Sequence, residues 1–469
     1  MFLGVCHVSK KQVLIRGTFI LTFTGFTSRL MGFFYRIFLS RTFGAEGVGL
    51  YQLIFPVYAL CYALTTAGIE TAVSRTVACK ISLGKEKEAG HTLRTGLILT
   101  FFPACLCTVF LQQSASWIAV TFLSNIHCAN LLTILSYTIP FSAIHSCICG
   151  YCYGKQQTRI PAVSQLLEQF VRISSVFLMY FLLKQNGQTI SISIAVCGLV
   201  FGEMASACYC CVTLSVHHSK QSTGLLDRMH GGKKRKHLRF SPVCFFSHAK
   251  ELLALSIPLT ANRVLINLLQ SIEAVSIPGR LQLYRFSSSE ALRIYGVLNG
   301  MALPCILFPS AITNSISIML MPAIAETQAS GNQKELRNMI RKSIGACFIL
   351  GTGCCIFFLL FGNFIGIQLF GNTTAGHFIV TLAWICPFLY TNSALLSIIN
   401  GLGKTNSTLF INSIGLLIRI AGVFYGIPLF GIRGYLWGLL ISQLTVSLLA
   451  GKTVLYSPIS KKVRGHINK

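Results

Sequence analysis

Apolar residues in this chain occur in repeated runs of about 20, separated by short segments that hold most of the charged positions. A helix rises ~1.5 Å per residue, so each run is long enough to cross the ~30 Å hydrocarbon core of a bilayer. The pattern predicts an all-α, polytopic membrane protein. Twelve spans are predicted, at approximately residues 13–39, 47–72, 93–111, 129–153, 160–183, 189–216, 251–277, 294–324, 343–369, 375–402, 405–429 and 431–451.

The composition supports this class, since 53% of the 469 residues are hydrophobic and only 11% are charged. The formal net charge of +27 raises the question of nucleic-acid binding. With the N-terminus in the cytoplasm, however, 26 of the 39 Lys and Arg residues fall in the predicted inside segments and six in the outside loops. This bias follows the positive-inside rule and predicts two cytoplasmic termini. The basic residues therefore indicate topology and contact with membrane lipids, and we expect no nucleic-acid partner.

The chain contains an internal repeat. Lys155 and Lys404 open matching segments 249 residues apart, and Pro56 and Pro304 match at a distance of 248. Two successive units of six helices share one orientation, which predicts parallel repeats with a central cavity. The predicted parts are an N-lobe at 1–216, a basic cytoplasmic linker at 217–250, and a C-lobe at 251–469 with a short cytoplasmic tail.

A second match joins "GLVFGEMAS" at 198–206 to "GYLWGLLIS" at 434–442. Both segments have glycine, glycine and serine four residues apart. Small residues at this spacing allow two helix backbones to approach closely in lipid. We therefore expect a tight helix contact at the same place in each lobe.

Arginines inside the spans are the main candidates for function. Arg29 and Arg36 lie seven residues apart on one face of the first span, about 10 Å apart along its axis. An arginine at the centre of a bilayer costs at least ~2.5–3.5 kcal/mol. Two interpretations remain open for Arg29, an anion site facing the cavity and a structural ion pair with another helix.

Other spans contribute further charges. Glu168 and Arg172 have the favourable spacing for an ion pair within one helix, and Arg263 and Glu273 lie in the seventh span. Glu203, in the sixth, is interpreted as a polar helix-packing contact. The surplus of arginine suits a pyrophosphate, because a guanidinium binds phosphate oxygens in pairs. The arginines within or at the edge of spans are Arg16, Arg29, Arg36, Arg75, Arg172, Arg263 and Arg419.

The 19 cysteines lie mostly inside spans, where cysteine acts as a small hydrophobic residue. Cys147, Cys149 and Cys152 lack a second ligand pair at zinc spacing, so the sequence predicts no metal site. No cofactor motif is present. A nucleophile–base pair and a Walker loop are also missing, and we therefore expect a protein without enzymatic activity.

Several segments resemble the stage V sporulation protein B group of bacterial polysaccharide transporters. They are "TSRLMGFFYR", "FGAEGVGLYQL", "GYCYGKQQTRIPAVSQLLEQFVRIS" and "MPAIAE". This group belongs to the multidrug/oligosaccharidyl-lipid/polysaccharide (MOP) flippase superfamily, with the lipid II flippases. The resemblance covers about residues 10–450. It implies a MATE-like fold in the bacterial cytoplasmic membrane and transport by alternating access.

The cargo that the resemblance implies is an anionic lipid-linked oligosaccharide, such as an undecaprenyl-pyrophosphate-linked peptidoglycan precursor. Cell-wall synthesis enzymes are candidate partners. Arg36 matches the sporulation-type sequences, whereas lipid II flippases usually place that arginine where Tyr35 stands here. The substrate-binding residues implied by the resemblance are Arg29, Arg36, Glu168, Arg172, Arg263 and Glu273.

Three alternatives remain open. A cation-coupled multidrug exporter on the same fold usually needs a buried acid to bind its ion, and the first span has none. A major-facilitator carrier also has six plus six helices, but "ISLGKEKEAG" lacks the Gly-Asp-Arg-rich signature of its loop between helices two and three. The third alternative is a scaffold for cell-envelope or sporulation proteins that transports nothing.

Overall fold

The computed structural model describes residues 10–226 and 242–456, and all regular structure in these ranges is helical. Contacts within the chain divide it into two units, Met1–Met31 with Ile54–Leu268 and Gly32–Leu53 with Leu269–Lys469. The boundaries between the units fall inside the first, second and seventh predicted spans. The lobe boundaries at 216 and 251 stay a prediction.

The predicted linker is only partly described. Its two ends, 217–226 and 242–250, continue the neighbouring helices, and 227–241 lie outside the described residues. The basic residues of the predicted cytoplasmic tail beyond 456 lie outside them as well.

The first unit contains the first part of one long helix, seven complete helices and the first part of another long helix. Two π-helical segments, Ala63–Ala67 and Ile118–Phe122, continue α2 and α4. The helices are α1 (Lys10–Leu53), α2 (Phe55–Tyr62), α3 (Gly68–Ser82), α4 (Glu86–Trp117), α5 (Cys128–Ser136), α6 (Thr138–Gly154), α7 (Arg159–Gln185), α8 (Ser193–Leu226) and α9 (Pro242–Leu283).

The second unit contains the later parts of α1 and α9 and nine further helices. Two π-helical segments, Val297–Ala302 and Gly422–Gly426, lie within its spans. The helices are α10 (Ser288–Gly296), α11 (Leu303–Leu307), α12 (Ser310–Ala329), α13 (Gln333–Gln368), α14 (Thr373–Ala383), α15 (Cys386–Gly401), α16 (Thr405–Ala421), α17 (Ile427–Phe430) and α18 (Ile432–Leu455).

The described helices agree with the predicted spans. Within the described residues, eight stretches are long and apolar enough to cross a bilayer, and three bent helix pairs bring the number to 11. One of the eight, Phe19–Ser82, has 64 residues and non-helical backbone angles at Gly44. A single crossing needs only ~20 residues, so this stretch allows two crossings. Counted as two, it brings the total to the predicted twelve. The protein is a multi-pass α-helical membrane protein, and this prediction is confirmed.

The two halves of the repeat have breaks in their spans at matching positions. Pro56 and Pro304 each occupy the first turn of a short helix, in the second span of their halves. The fourth spans bend by 41° between α5 and α6 and by 55° between α14 and α15. Pro140 and Pro387 stand just after these two bends. A proline lacks the backbone N–H that would bond to the preceding turn, which explains a bend at the same place in each half.

Glycine packing confirms the second repeat match in the first unit. A Cβ atom at Gly198 would lie 2.3 Å from the Val176 side chain, and one at Gly202 would lie 2.8 Å from the Glu168 carbonyl oxygen. Helix α8 therefore lies against α7 with its glycines at the contact. A larger residue at either position has no room.

The second unit repeats this contact. A Cβ atom at Gly434 would lie 2.2 Å from the Gly426 carbonyl oxygen, and one at Gly438 would lie 3.1 Å from the Gly422 Cα atom. The Ser442 hydroxyl donates a hydrogen bond of 2.7 Å to the Gly415 carbonyl. The close approach of α18 to α16 and the π-helical segment after it is therefore confirmed.

Candidate functional site

Arg29 lies on α1 within the first unit, and its side chain is exposed. Among the described residues it makes no hydrogen bond or ion pair. The interpretation of Arg29 as half of a structural ion pair therefore finds no carboxylate partner in the described ranges. Arg36 lies further along α1, in the second unit, and is half-buried.

Arg263 is the other predicted arginine that is exposed. It lies on α9 in the first unit, and it too has no carboxylate partner among the residues that the structure describes. Its guanidinium lies within electrostatic range of the Tyr62 hydroxyl. Nearby on α9, the side-chain amide of Asn267 donates to the Ala59 carbonyl at 3.3 Å, which ties this part of α9 to α2.

Glu168 and Arg172 form the predicted ion pair on α7, between Glu168 Oε1 and Arg172 Nη2. Arg172 Nη1 also donates to Gln169 Oε1 at 3.4 Å. Both charged side chains are largely buried, with 17% and 18% of their surfaces exposed. The pair lies against the glycine contact with α8, because a Cβ atom at Gly202 would be only 3.2 Å from the Arg172 Cβ. The tight packing and the ion pair therefore position each other.

A buried polar network extends from this pair through the first unit. Glu203 on α8 accepts a hydrogen bond of 3.1 Å from the Tyr58 hydroxyl. Its second carboxylate oxygen lies 3.7 Å from His145 Nδ1. One oxygen each of Glu168 and Glu203 and a ring nitrogen of His145 lie within 4.8 Å of one another. Four helices, α2, α6, α7 and α8, thus contribute to one cluster of titratable groups.

A second branch of the network lies beside the Arg263 region. Ser146 on α6 donates to Glu70 Oε2 at 2.8 Å. The Tyr62 hydroxyl lies 3.1 Å from the Ser146 hydroxyl and donates weakly to Glu70 Oε2 at 3.4 Å. Tyr62 belongs to this branch and also lies within electrostatic range of Arg263, with no hydrogen bond between the two in the described ranges.

The second unit contains a separate buried ion pair. Glu273 on α9 accepts from Arg419 Nη2 at 2.8 Å and from the Tyr435 hydroxyl at 2.8 Å. Glu273 is 5% exposed. Its carboxylate is held by α16 and α18, so Glu273 fixes the arrangement of three helices. Its predicted role in substrate binding remains a prediction.

Arg419 and Tyr435 were not among the site residues predicted from the sequence. The repeat contains a signal for Arg419, because "VRISSVF" and "IRIAGVF" align Arg172 four residues before Val176 and Arg419 four residues before Val423. Each arginine pairs with a glutamate beside the glycine contact of its unit. In the first unit the glutamate is on the same helix, whereas in the second it comes from α9, which spacing along the chain cannot show.

One further arginine, Arg41, has a clear structural role. Arg41 Nε donates to the Leu369 carbonyl at 2.8 Å, and Arg41 Nη2 donates to the Gln368 carbonyl. Carbonyl groups at a helix end have no partner within the helix and carry partial negative charge, so the arginine stabilises the end of α13. Arg75, one of the arginines within or at the edge of the predicted spans, is exposed on α3.

Lys80 forms the centre of another cluster in the first unit. Its Nζ donates to Thr92 Oγ1 at 2.9 Å and to Glu251 Oε2 at 3.0 Å, and it lies 2.9 Å from His248 Nδ1. Lys80 is 7% exposed. Lys80 on α3 thus donates one hydrogen bond to α4, at Thr92, and one to the first part of α9, at Glu251. The cluster joins these three helices.

Comparison with known proteins places these features in a family. A family model described as "Polysaccharide biosynthesis protein" matches residues 14–328. Stage V sporulation protein B of Bacillus subtilis (strain 168) is 28% identical over 97% of this chain and 86% of its own length. Lipid II flippase MurJ of the same organism is 24% identical over 87% of this chain and 76% of its own length.

Among solved structures, the fold is similar to the inward-facing conformation of a multidrug resistance MATE family transporter of the MOP superfamily. The TM-score is 0.67 at 14% identity, and the match covers 93% of this chain and 96% of the other. At this identity the likeness concerns the fold alone. The predicted MATE-like, MOP-type architecture is confirmed.

Proposed function

Because the chain belongs to the polysaccharide biosynthesis protein family, and is a membrane transporter of the MOP superfamily rather than an enzyme, we propose that it flips an undecaprenyl-pyrophosphate-linked oligosaccharide. The cargo class includes peptidoglycan precursors of the lipid II type. Transport runs from the cytoplasmic to the outer leaflet of the bacterial cytoplasmic membrane, by alternating access, with both termini in the cytoplasm.

The proposal rests on the exposure of Arg29 and Arg263 and on the residues around them. Both lie in predicted spans of the first unit, both are exposed, and neither pairs with a carboxylate among the described residues. Arg172, in contrast, pairs with Glu168 and Arg419 with Glu273. A guanidinium in a membrane span without an internal counter-ion is suited to an anion that arrives from outside the protein.

A pyrophosphate fits such groups by geometry as well as by charge. The planar guanidinium offers two parallel N–H donors to a pair of phosphate oxygens. Hydrogen bonds to charged groups contribute ~1.5–3 kcal/mol each. Loss of one arginine should therefore weaken binding of the lipid-linked cargo roughly ten- to hundredfold. A cationic drug would be repelled by the same groups, so they favour the flippase over the multidrug exporter.

The remaining predicted site residues divide by their contacts. Glu168 and Arg172 pair with each other. We assign them two roles, which are to orient the polar network and to contact the substrate. Glu273 is engaged by two neighbouring helices, and we assign it a positioning role. Arg36 remains a proposed phosphate ligand on the part of α1 that belongs to the second unit.

The relatives support the chemistry of the cargo. One is named for stage V of sporulation and another as a lipid II flippase. The proposal accordingly includes the cell envelope as the place of action, and cell-wall synthesis enzymes as partners that supply or consume the flipped lipid. The family description, which concerns polysaccharide biosynthesis, agrees with a sugar on a lipid carrier.

The test is flipping in reconstituted vesicles that contain lipid-linked glycans labelled on the sugar. The wild-type protein should expose the label to an external modifying reagent, whereas protein-free vesicles should not. Arg29→Ala and Arg263→Ala should each abolish flipping while the variants still insert in the membrane. Arg29→Lys should retain part of the activity, because it keeps the charge and loses the paired donors.

Arg75→Ala is the matched control, since it removes an exposed arginine from α3 of the same unit. It should flip at the wild-type rate. Full activity of both Arg29→Ala and Arg263→Ala would overturn the arginine mechanism. Vesicles in which the wild-type protein moves no lipid-linked glycan, but exports a cationic dye along an ion gradient, would favour the multidrug exporter instead.

A further inference from the structure

Two cysteines and a histidine meet in the interior of the first unit. His145 and Cys149 lie four residues apart on α6 and so share one helix face, and Cys210 reaches them from α8. The two sulfur atoms and a ring nitrogen of His145 lie within 4.8 Å of one another. Two thiolates and an imidazole are a donor set that zinc prefers.

The orientation of the histidine ring separates its two nitrogens. Nδ1 faces the Glu203 carboxylate at 3.7 Å. Nε2 lies 3.0 Å from the Ser164 hydroxyl, which is itself 3.9 Å from the Cys149 sulfur. The ring therefore directs Nε2 toward the thiols while Nδ1 faces an acid. Histidine ligands of metals usually have this arrangement, in which a carboxylate on one nitrogen orients the other toward the metal.

Burial and charge also suit a divalent cation. Cys210 is fully buried and Cys149 is 6% exposed. Two thiolates neutralise one Zn²⁺ ion, and a neutral imidazole adds no charge, so the complete unit has no net charge to desolvate inside the helical bundle. Glu203 Oε2 is a buried carboxylate oxygen with no hydrogen-bond partner in the part of the chain that the structure describes. A metal-bound His145, protonated on Nδ1, gives that oxygen a donor.

We propose that His145, Cys149 and Cys210 form a binding site for Zn²⁺, with the Ser164 hydroxyl or a water molecule at the fourth position. Tetrahedral zinc with bonds of ~2.0–2.3 Å places its ligand atoms roughly 3.3–3.8 Å apart. Because the three ligand atoms already lie within 4.8 Å of one another, the side chains need to draw in by at most about 1.5 Å. The metal links α6 directly to α8. It thereby fixes the helix that carries Glu203 relative to the helix that carries His145.

Metal binding at this site releases protons. Zn²⁺ replaces the proton of the Cys149 thiol and the proton of the Cys210 thiol, both of which pass to solvent, and the His145 lone pair on Nε2 completes the set. No electron is transferred. Affinity must therefore fall as the pH falls, because protons compete with the metal for the two sulfurs.

The cysteine spacing along the chain predicted no metal site, and the three ligands explain why. Only Cys149 belongs to the cluster of Cys147, Cys149 and Cys152 that spacing singles out. The second thiol comes from α8, and the imidazole lies one turn before Cys149 on α6. Metal-site patterns in sequence depend on close pairs of ligands, whereas this site depends on how α6 packs on α8.

The test uses the full chain, purified in detergent, reduced and freed of metal, and titrated with Co²⁺ and Zn²⁺. The wild-type protein should bind one equivalent of Co²⁺ with the near-ultraviolet absorption of a cobalt–thiolate bond, and Zn²⁺ should displace it. Cys149→Ser and Cys210→Ser should each lose the bound equivalent and the absorption band. Cys152→Ser is the matched control, because Cys152 is equally buried on α6 and lies outside the donor set.

A second measurement needs no variant and so does not depend on how well the serine variants fold. Zn²⁺ should slow the reaction of Cys149 and Cys210 of the wild-type protein with a thiol reagent at a fraction of SDS that opens the helical bundle, as read by mass spectrometry. It should leave the labelling of the exposed Cys208 unchanged. Binding that Cys152→Ser abolishes as strongly as Cys149→Ser, equal labelling with and without Zn²⁺, or no bound Co²⁺ at all would each overturn the proposal.

Discussion

Removal of Arg419 should destabilise the second unit more than removal of its partner Glu273. In Arg419→Met, the Glu273 carboxylate stays 5% exposed and keeps only the Tyr435 hydroxyl at 2.8 Å. Two unit charges ~4 Å apart interact by about 4 kcal/mol at an effective dielectric constant of ~20. Breaking a buried pair by deleting one partner costs ~3–5 kcal/mol. We expect a loss in that range for Arg419→Met.

Glu273→Gln should cost less, about 1–2 kcal/mol, because the amide keeps a hydrogen bond with Tyr435. The Arg419 side chain that remains is 25% exposed, so the protein encloses it less completely than it encloses Glu273. In the double variant the uncompensated carboxylate is gone, so its loss should be smaller than that of Arg419→Met alone. We therefore predict that the loss of unfolding free energy is largest for Arg419→Met and smaller for both Glu273→Gln and the double variant.

The assay is reversible unfolding of the purified protein in mixed micelles with an increasing fraction of SDS, followed by helical circular dichroism. Free energies of unfolding for the wild type, the two single variants and the double variant form a cycle. A coupling energy near zero, or a larger loss for Glu273→Gln than for Arg419→Met, would refute the account of Glu273 as a buried charge that depends on Arg419.

Three further predictions concern packing, a buried cation and a helix cap. Gly434→Leu should destabilise the protein by at least ~1–3 kcal/mol, because its Cβ would lie 2.2 Å from the Gly426 carbonyl oxygen, as measured by the same SDS unfolding. Lys80→Met should lower the unfolding free energy in the same assay, because Glu251 loses its 3.0 Å ion pair. Asn332→Ala should cost ~1 kcal/mol of unfolding free energy, since its side chain caps α13.

Each of these has a control on the same type of element. Gly353→Leu on α13 introduces the same side chain where no atom lies within 4 Å of the new Cβ, and it should be tolerated. Lys334→Met removes an exposed lysine and should leave the unfolding free energy unchanged. Asn332→Ser should preserve the cap, because a serine hydroxyl also accepts from the Glu335 backbone N–H, which now donates to Asn332 Oδ1 at 3.2 Å. Equal effects of a variant and its control would contradict the corresponding prediction.

The features that the sequence could predict depend on residues close together along the chain. The pairing of Glu168 with Arg172 follows from four residues of spacing on one helix, and the tight contact at Gly202 follows from a motif that lies wholly on α8. Both depend only on helical geometry, which the apolar pattern already implies. The same is true of the spans themselves, since a bilayer demands a fixed length of apolar helix.

The break between the first two spans was also predictable, since one predicted span ends at 39 and the next starts at 47. The structure has the break at Gly44, whose φ of 68° and ψ of −178° are not helical and are tolerated by glycine. The details that the sequence missed depend on tertiary contact. The partners of Glu273 and His145 come from helices far away in the chain, and no spacing rule reports them.

Binding of the pyrophosphate group is the central claim, and it is tested most directly by affinity. An undecaprenyl-pyrophosphate-linked sugar and neutral undecaprenol are each titrated into the detergent-solubilised wild-type protein and into the Arg29→Ala/Arg263→Ala double variant. We expect the wild type to bind the pyrophosphate lipid much more tightly than undecaprenol, and we expect salt to weaken this preference. The double variant should lose at least ten- to hundredfold in affinity for the pyrophosphate lipid and keep its affinity for undecaprenol. Equal affinity of the two proteins for the pyrophosphate lipid would contradict the account.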